Sequence, residues 1–358
     1  MQLRSSTITS ISNLTQAHYS GTTTGLVDPS QAHYRQNNIT VKLLGAGDNG
    51  TAYAAISKAD ANMIIAKHCG SAQALHDKIR SELQAVKFAK ETNLEGDLSN
   101  EVKFLTKAVT VKHPRITPAL DSHLDGKTQY SALPFCSGGN LQRFIDKHGA
   151  SLPVAFVWHV GVQLTEAVCF LLQHPGVAHC DIWSENTLLR PTTDADADSA
   201  FGNYPDAVVA DFGRAIKIEP DEPLAVQQWL VRQQLNDIAQ VASTLQFMRR
   251  DMRWARLMSP NRIHCPACFT SCREPCHECC TDAKSATVLD VWLAQFVTIA
   301  TTSDNIAQGL AFLEGFAAAA RQQRAENYRP LPDTVSADLA AVKITDNEIA
   351  IALAQLQQ

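Results

Sequence analysis

The chain lacks long uninterrupted apolar runs, lacks an excess of basic charge and is poor in aromatics, which make up 7% of its 358 residues. Its two most apolar segments, PVAFVWHVGVQL and GLAFLEGFAAAA, are broken by His159 and Glu314. Neither reads as a membrane span, which needs about 20 predominantly apolar residues. Lys and Arg number 31 against 36 Asp and Glu, a net charge of −5, so there is no broad basic surface for nucleic acid or anionic lipid. The opening residues MQLRSSTITS carry no apolar signal core and one Arg, which sets cytoplasm or nucleus as the expected location. Apolar content of 45% is ordinary for a globular protein with a substantial core.

Cysteine is thin except in one place. Six of the ten fall in HCPACFTSCREPCHECC, residues 264–280. Cys265 with Cys268 and Cys276 with Cys279 form two C-x-x-C pairs, each suited to grip one side of a tetrahedral zinc through thiolates. A structural zinc is expected there, with disulfides or a redox-labile thiol patch as the alternatives.

The texture changes along the chain. Residues 1–38 read as a polar arm. From 39 to 136, strand-like stretches alternate with helical ones: ITVKLLGAG, GTAYAAI and NMIIAKHC as strands, 72–90 and 98–110 as helices, TPALDSHLD and TQYSALPFC as strands. Residues 137–325 are mostly helical, with short strands near 186–190 and 207–211 and the cysteine-rich segment inserted at 262–282. Residues 326–358 read as a linker and terminal helix. The expected class is α+β, a small β-rich lobe joined to a larger helical one.

The chemistry-bearing residues occur in a fixed order. GAGDNGTAY supplies Gly45, Gly47 and Gly50 as G-x-G-x-x-G between two predicted strands, where glycine lets backbone N–H groups approach a phosphate. A dinucleotide fold would need a helix after the glycines, and TAYAAIS reads as a strand. Lys67 ends IIAK, one predicted hairpin past the glycines, and is placed to reach nucleotide phosphates. A carboxylate must hold it; Glu101 is preferred over Glu82, which makes one of the two helical segments an insertion. In HCDIWSEN, Asp181 is positioned to orient a hydroxyl and accept its proton. Asn186, with Asp211 at the end of the next predicted strand in VVADFG, supplies hard oxygen ligands for magnesium.

In this order the pieces resemble the eukaryotic protein kinase superfamily across residues 40–255: the glycine loop, IIAK, HPRI at 113–116, LPFCSGGNLQRFI as a hinge and following helix, HCDIWSEN for H-R-D-L-K-P-E-N, DFG, and the helix led by Asp237. The resemblance implies ATP and Mg2+ as cofactors and a protein substrate, with transfer to Ser or Thr. It implies Ala66 and Leu188 on either side of adenine, Leu133 as gatekeeper, Phe135 and Cys136 as hinge contacts, and His179, Phe212 and Leu105 in a hydrophobic spine. Two positions and one segment depart from the family pattern. Cys180 stands for an Arg that pairs with a phosphorylated loop, and Trp183 for a Lys that touches the transferred phosphate. The stretch from Asp211 to Asp237 is short and holds no A-P-E. The alternatives implied are a nucleotide-binding scaffold without turnover and a small-molecule kinase of the aminoglycoside or choline type.

Overall fold

The computed structural model describes residues 32–47, 50–68, 70–90, 97–108, 113–124, 129–173, 177–191, 204–217, 219, 221–251, 277–303, 305–340 and 343–357. Cys265, Cys268 and Cys276 lie outside them. Of Cys279 only the helical backbone is described.

Helix α1 (Ala32–Asn37) leads into an antiparallel sheet. Its strands are β1 (Asn38–Gly47), β2 (Gly50–Ser57), β3 (Gln84–Ala89), β4 (Asp121–His123) and β5 (Tyr130–Pro134), in the spatial order β1-β2-β3-β5-β4. Between β2 and β3 the chain departs from expectation. NMIIAKHC is not a strand: Lys58–Lys67 form α2 and Ala72–Ser81 form α3. The local cause is a cap. The Ser57 hydroxyl accepts the Asp60 N–H at 2.9 Å and donates to the Asp60 carboxylate, closing the first turn. Ala61 and Ile64 then bury on one face while Met63 and Ile65 stay exposed, a helical period and not the alternation of a strand. Ser71 caps α3 in the same way. The expected helix over 72–90 stops at Ser81, and Gln84–Ala89 become β3, with Val86 and Phe88 buried.

Helix α4 (Asp97–Ala108) packs against the end of this sheet and against the turn at 212–214. The large lobe then follows: β6 (Gly139–Asn140), α5 (Leu141–His148), α6 (Val154–Gln173), β7 (Val177–Ala178), β8 (Thr187–Arg190), β9 (Asp206–Val209), β10 (Ile216–Lys217), α7 (Leu224–Asp251), α8 (His277–Thr302) and α9 (Ile306–Glu326). Strands β6, β8 and β9 form one small sheet; β7 pairs with β10 in another. Helix α6 is long and apolar enough to cross a membrane by length and composition, but here it is the lobe's core, mostly buried among α7, α8 and α9. A helix apolar on every side belongs in the middle of a domain.

One core group makes this lobe sensitive to acid. His159 on α6 donates from Nε2 to the Pro205 carbonyl at 3.2 Å, and Nδ1 accepts from Arg324 at 3.2 Å. Burial, then the Arg324 charge, pushes its pKa from 6.5 down to about 3. The unfolded chain therefore binds a proton the folded chain refuses, so stability is fully present above pH about 6.5 and is lost as the pH falls from there toward 3. The expected loss from this residue is at most about 1.4 kcal/mol per pH unit within that window. Denaturant unfolding of the unaltered chain and of His159→Gln between pH 7.5 and 5 measures it. The variant should show the shallower slope, and equal slopes would refute the assignment.

The last helices, α10 (Asp333–Ala340) and α11 (Asp346–Ala354), turn back over both lobes. Asp338 is held by Lys147 and by His148 at 2.8 Å at the end of α5. These hydrogen bonds, Lys147 first, keep the Asp338 carboxyl well below the usual carboxylate range. Helix α11 opens on a reciprocal cap between Thr345 and Glu348 and packs on β1 and α3. Its Ile349 and Ala352, with Ile344 just before it, share a core with Ile39 and Ile56 of the sheet and Ile64 and Ile79 of the inserted helices.

Candidate active site

Helix α7 builds the HCDIWSEN loop from below. The buried Asp237 carboxylate accepts the backbone N–H groups of His179 at 2.7 Å and Cys180 at 2.8 Å. Gln240, one turn on along the same helix, accepts from the Ile182 N–H at 2.7 Å and donates to the Cys180 carbonyl at 3.1 Å. These bonds hold Cys180 at φ 66°, left-handed backbone that costs a non-glycine residue energy unless its surroundings enforce it. Burial pushes Asp237 up to about 7, against the pull of the two N–H bonds. Burial, with Asp237 and Asp181 adding to it, pushes the Cys180 thiol up to about 12, so it stays protonated and neutral. His179 is fully enclosed, its pKa lowered to about 4 by burial. Its ring meets Phe212 edge-on at 4.4 Å, and Phe212 in turn stacks on Phe104 at 4.6 Å. Leu105, the expected spine member, is buried in the same core.

The strapped loop leaves Asp181 and Asn186 facing one another. The Asn186 amide donates to the Asp181 carboxylate at 3.0 Å and to its carbonyl at 2.9 Å. Across from them Asp211 sits at φ 60°. Asp tolerates this conformation better than most residues. Asp211 takes the Lys87 ammonium at 2.9 Å, and Glu101, 1% exposed on α4, stands 3.5 Å from the same nitrogen. Burial would lower the pKa of Lys87, but the Glu101 and Asp211 charges outweigh it and hold the ammonium above the usual lysine range. Asn100 on α4 donates to the carbonyls of Gly213 at 2.8 Å and Ala215 at 2.6 Å, tying the Glu101 helix to the DFG turn.

The expected lysine is therefore corrected. Lys67 ends α2 and lines a separate surface pocket with Asp60, Met63, His68 and Lys78. The lysine in the cleft is Lys87 on β3, the strand that precedes the Glu101 helix. The two-helix insertion between β2 and β3 displaces everything read from IIAK. Ala66 moves with it onto α2, and Ala85, opposite Leu133 in the β3–β5 ladder, lines the cleft in its place. Glu82, the weighed alternative, ends α3 and pairs with Lys78 at the surface.

The cleft has a volume of about 500 Å³ and runs between the lobes. Gly45, Leu133, Phe135, Cys136 and Leu188 line it with Lys87, Glu101, Asn186 and Asp211. The glycines divide their work. A Cβ on Gly45 would meet nothing within 4 Å, which leaves the backbone open to the cleft, whereas one on Gly50 would lie 2.0 Å from the Phe88 carbonyl oxygen. Gly50 is thus required by the pairing of β2 with β3. Gly47 closes the hairpin opposite Gly50. Two lining residues had no signal in the sequence: Asp338 and Lys343, brought from the C-terminal segment to the cleft mouth. Ala85-x-Lys87 did carry one, an Ala-x-Lys inside an alternating strand.

The short stretch after DFG also takes shape. β10 pairs with β7, and α7 begins at Leu224, several turns before Asp237. Its first turns occupy sequence that the family pattern gives to a loop and A-P-E.

The family model described as protein kinase domain matches residues 39–235. Serine/threonine-protein kinase ULK3 of Homo sapiens is 26% identical over 182 residues, covering 51% of this chain and 32% of the relative. Serine/threonine-protein kinase ATG1b of Arabidopsis thaliana is 34% identical over 128 residues, covering 36% of this chain and 16% of the relative. The match thus spans about a third or less of the length of these relatives. A crystal structure of the Mycobacterium tuberculosis PknI kinase domain, a double mutant, aligns with TM-score 0.48 and 18% identity over 80% of this chain and 96% of that one.

Proposed function

The chain belongs to the protein kinase domain family, and on that footing we propose that it transfers the γ-phosphate of ATP to a hydroxyl, with Ser and Thr side chains of proteins as acceptors. One observation carries the reading: Lys87, held between Asp211 at 2.9 Å and Glu101 at 3.5 Å, shares one cleft with Asn186 and, beside it, Asp181. A family match alone would survive the loss of any of these groups.

The donors fit the groups they would hold. Lys87 presents a fixed ammonium to the α- and β-phosphates, and Ala85, Leu133 and Leu188 give the base an apolar slot. Asn186 and Asp211 offer the oxygen ligands a magnesium ion needs, and that ion supplies charge neutralisation on the phosphates when bound. Glu101 keeps Lys87 aimed. Asn186 orients the Asp181 carboxylate through its 3.0 Å bond, leaving the other oxygen to receive the acceptor's proton.

The test is transfer from labelled Mg-ATP to generic protein acceptors and to the chain itself. Asp181→Asn preserves size and loses the base, so transfer should fall by about 100-fold or more with nucleotide binding intact. Unchanged transfer in that variant would reject Asp181 as the base. Binding without transfer in the unaltered chain would turn the reading to a nucleotide-dependent scaffold.

A further inference from the structure

Catalysis of phosphoryl transfer calls for positive charge at the group in flight, and the HCDIWSEN loop holds none. Its acidic members are Asp181 and Glu185, its histidine is enclosed in the core, and Trp183, 44% exposed, fills the place where the family pattern has a lysine. A cation nevertheless stands at the base. The Arg214 guanidinium lies 3.5 Å from Oδ1 of Asp181, the oxygen opposite the one Asn186 engages, and it is the only basic side chain that the described ion pairs bring to Asp181. Its backbone is fixed. Arg214 ends the short turn Phe212–Arg214, whose Gly213 carbonyl is clamped by Asn100, as is the Ala215 carbonyl just after it. Its side chain has room to move, being two-thirds exposed.

We propose that Arg214 is a catalytic residue that takes over the role vacated at Trp183, contacting the transferred phosphoryl group from the DFG side of the cleft. The inference rests on the phosphotransfer reading. In the step, the acceptor oxygen forms a bond to the γ-phosphorus as the bond from that phosphorus to the β–γ bridging oxygen breaks. The electron pair leaves with ADP, and the hydroxyl proton passes to Oδ1 of Asp181. Before transfer, Arg214 occupies that same oxygen. With nucleotide and acceptor in place it swings to the equatorial phosphoryl oxygens, which its planar fork matches, and so frees Oδ1 to take the proton. One side chain thereby supplies the missing charge and uncovers the base.

Arg214→Gln, Arg214→Lys and the double variant Arg214→Gln with Trp183→Lys test this, each assayed for kcat, for the KM of ATP and for Mg-ATP binding. Arg214→Gln should lose about 100-fold in kcat, the scale of one transition-state donor, with KM and binding within about twofold because the contact forms only in transfer. A lysine at 214, or at 183 in the Gln background, should restore at least about tenfold. A structural role would not be rescued from position 183. An unchanged or increased kcat in Arg214→Gln, or failure of both lysines to restore it, overturns the assignment. The two failures are separable: no transfer by the unaltered chain sinks the phosphotransfer reading and this role with it, whereas transfer that persists in Arg214→Gln sinks only the role of Arg214.

Discussion

Lys87→Met should lower phosphoryl transfer by at least about 100-fold, while Lys67→Met leaves it within about twofold, as expected of a substitution outside the cleft. The two lysines are the sharpest contrast in the molecule. Both follow apolar residues, but only Lys87 has alanine two residues before it, as V-A-I-K requires; in IIAK the alanine stands next to the lysine. Lys87 has carboxylates on both sides in the cleft, one from α4 and one from the DFG turn. Methionine keeps the stem and removes the charge, so Glu101, almost wholly buried, loses its counter-charge. Removing one member of a fully buried pair costs roughly 3–5 kcal/mol. The cost here should be smaller, because the Lys87 side chain retains 19% exposure. A melting curve therefore accompanies the assay. Lys87→Met that is folded and silent, beside an active Lys67→Met, establishes the placement. The reverse pattern would return the role to Lys67 and reject the arrangement of β3.

That contrast also shows what could be read from residues alone. HCDIWSEN, DFG and the Asp237 helix were legible because their chemistry is local: a short loop must carry its acid, its amide and its metal ligand within a few positions. Glu101 was legible because it lies on an amphipathic helical stretch that runs toward HPRI. The lysine was not, because a capped helical pair is inserted after the glycine loop and displaces the strand that carries it. Besides Ala85-x-Lys87, two signals mark the actual arrangement. Ser57-x-x-Asp60 is a helix start, and Lys87 lies much nearer Glu101 along the chain than Lys67 does. The left-handed backbone at Cys180 was not legible, since it follows from bonds to Asp237 and Gln240, which lie far along the chain on α7. Nor was the return of the C-terminal segment, which depends on contacts between opposite ends of the chain.

That return gives the second large effect. Ile349→Asp should destabilise the small lobe by about 3 kcal/mol or more, since it puts an uncompensated carboxylate into a core where Ile349 is 0% exposed. The core at stake joins three separate parts of the chain: β1 and β2, the inserted helices, and the segment around α11. Polar contacts fix the same register. Lys42 donates to the Lys343 carbonyl and pairs with Glu348 at 3.2 Å, and Arg80 donates to the Ile344 carbonyl at 2.9 Å and pairs with Asp346. These ion pairs are partly exposed and weigh little alone, so the apolar contacts must carry the docking. A little upstream, on α10, Asp338 is fastened to the large lobe through Lys147 and His148. One short segment is thus anchored on both lobes and lines the cleft mouth between them. Releasing its outer end should loosen β1 and β2 and with them the Gly45 wall. The expected signature is faster amide exchange across residues 39–56 and a higher KM for ATP, with exchange in α6 and α7 unchanged. Ile349→Ala, which leaves a cavity without a charge, should show the same pattern at a smaller cost. Unaltered exchange in β1 and β2 on Ile349→Asp would mean that α11 does not support the sheet.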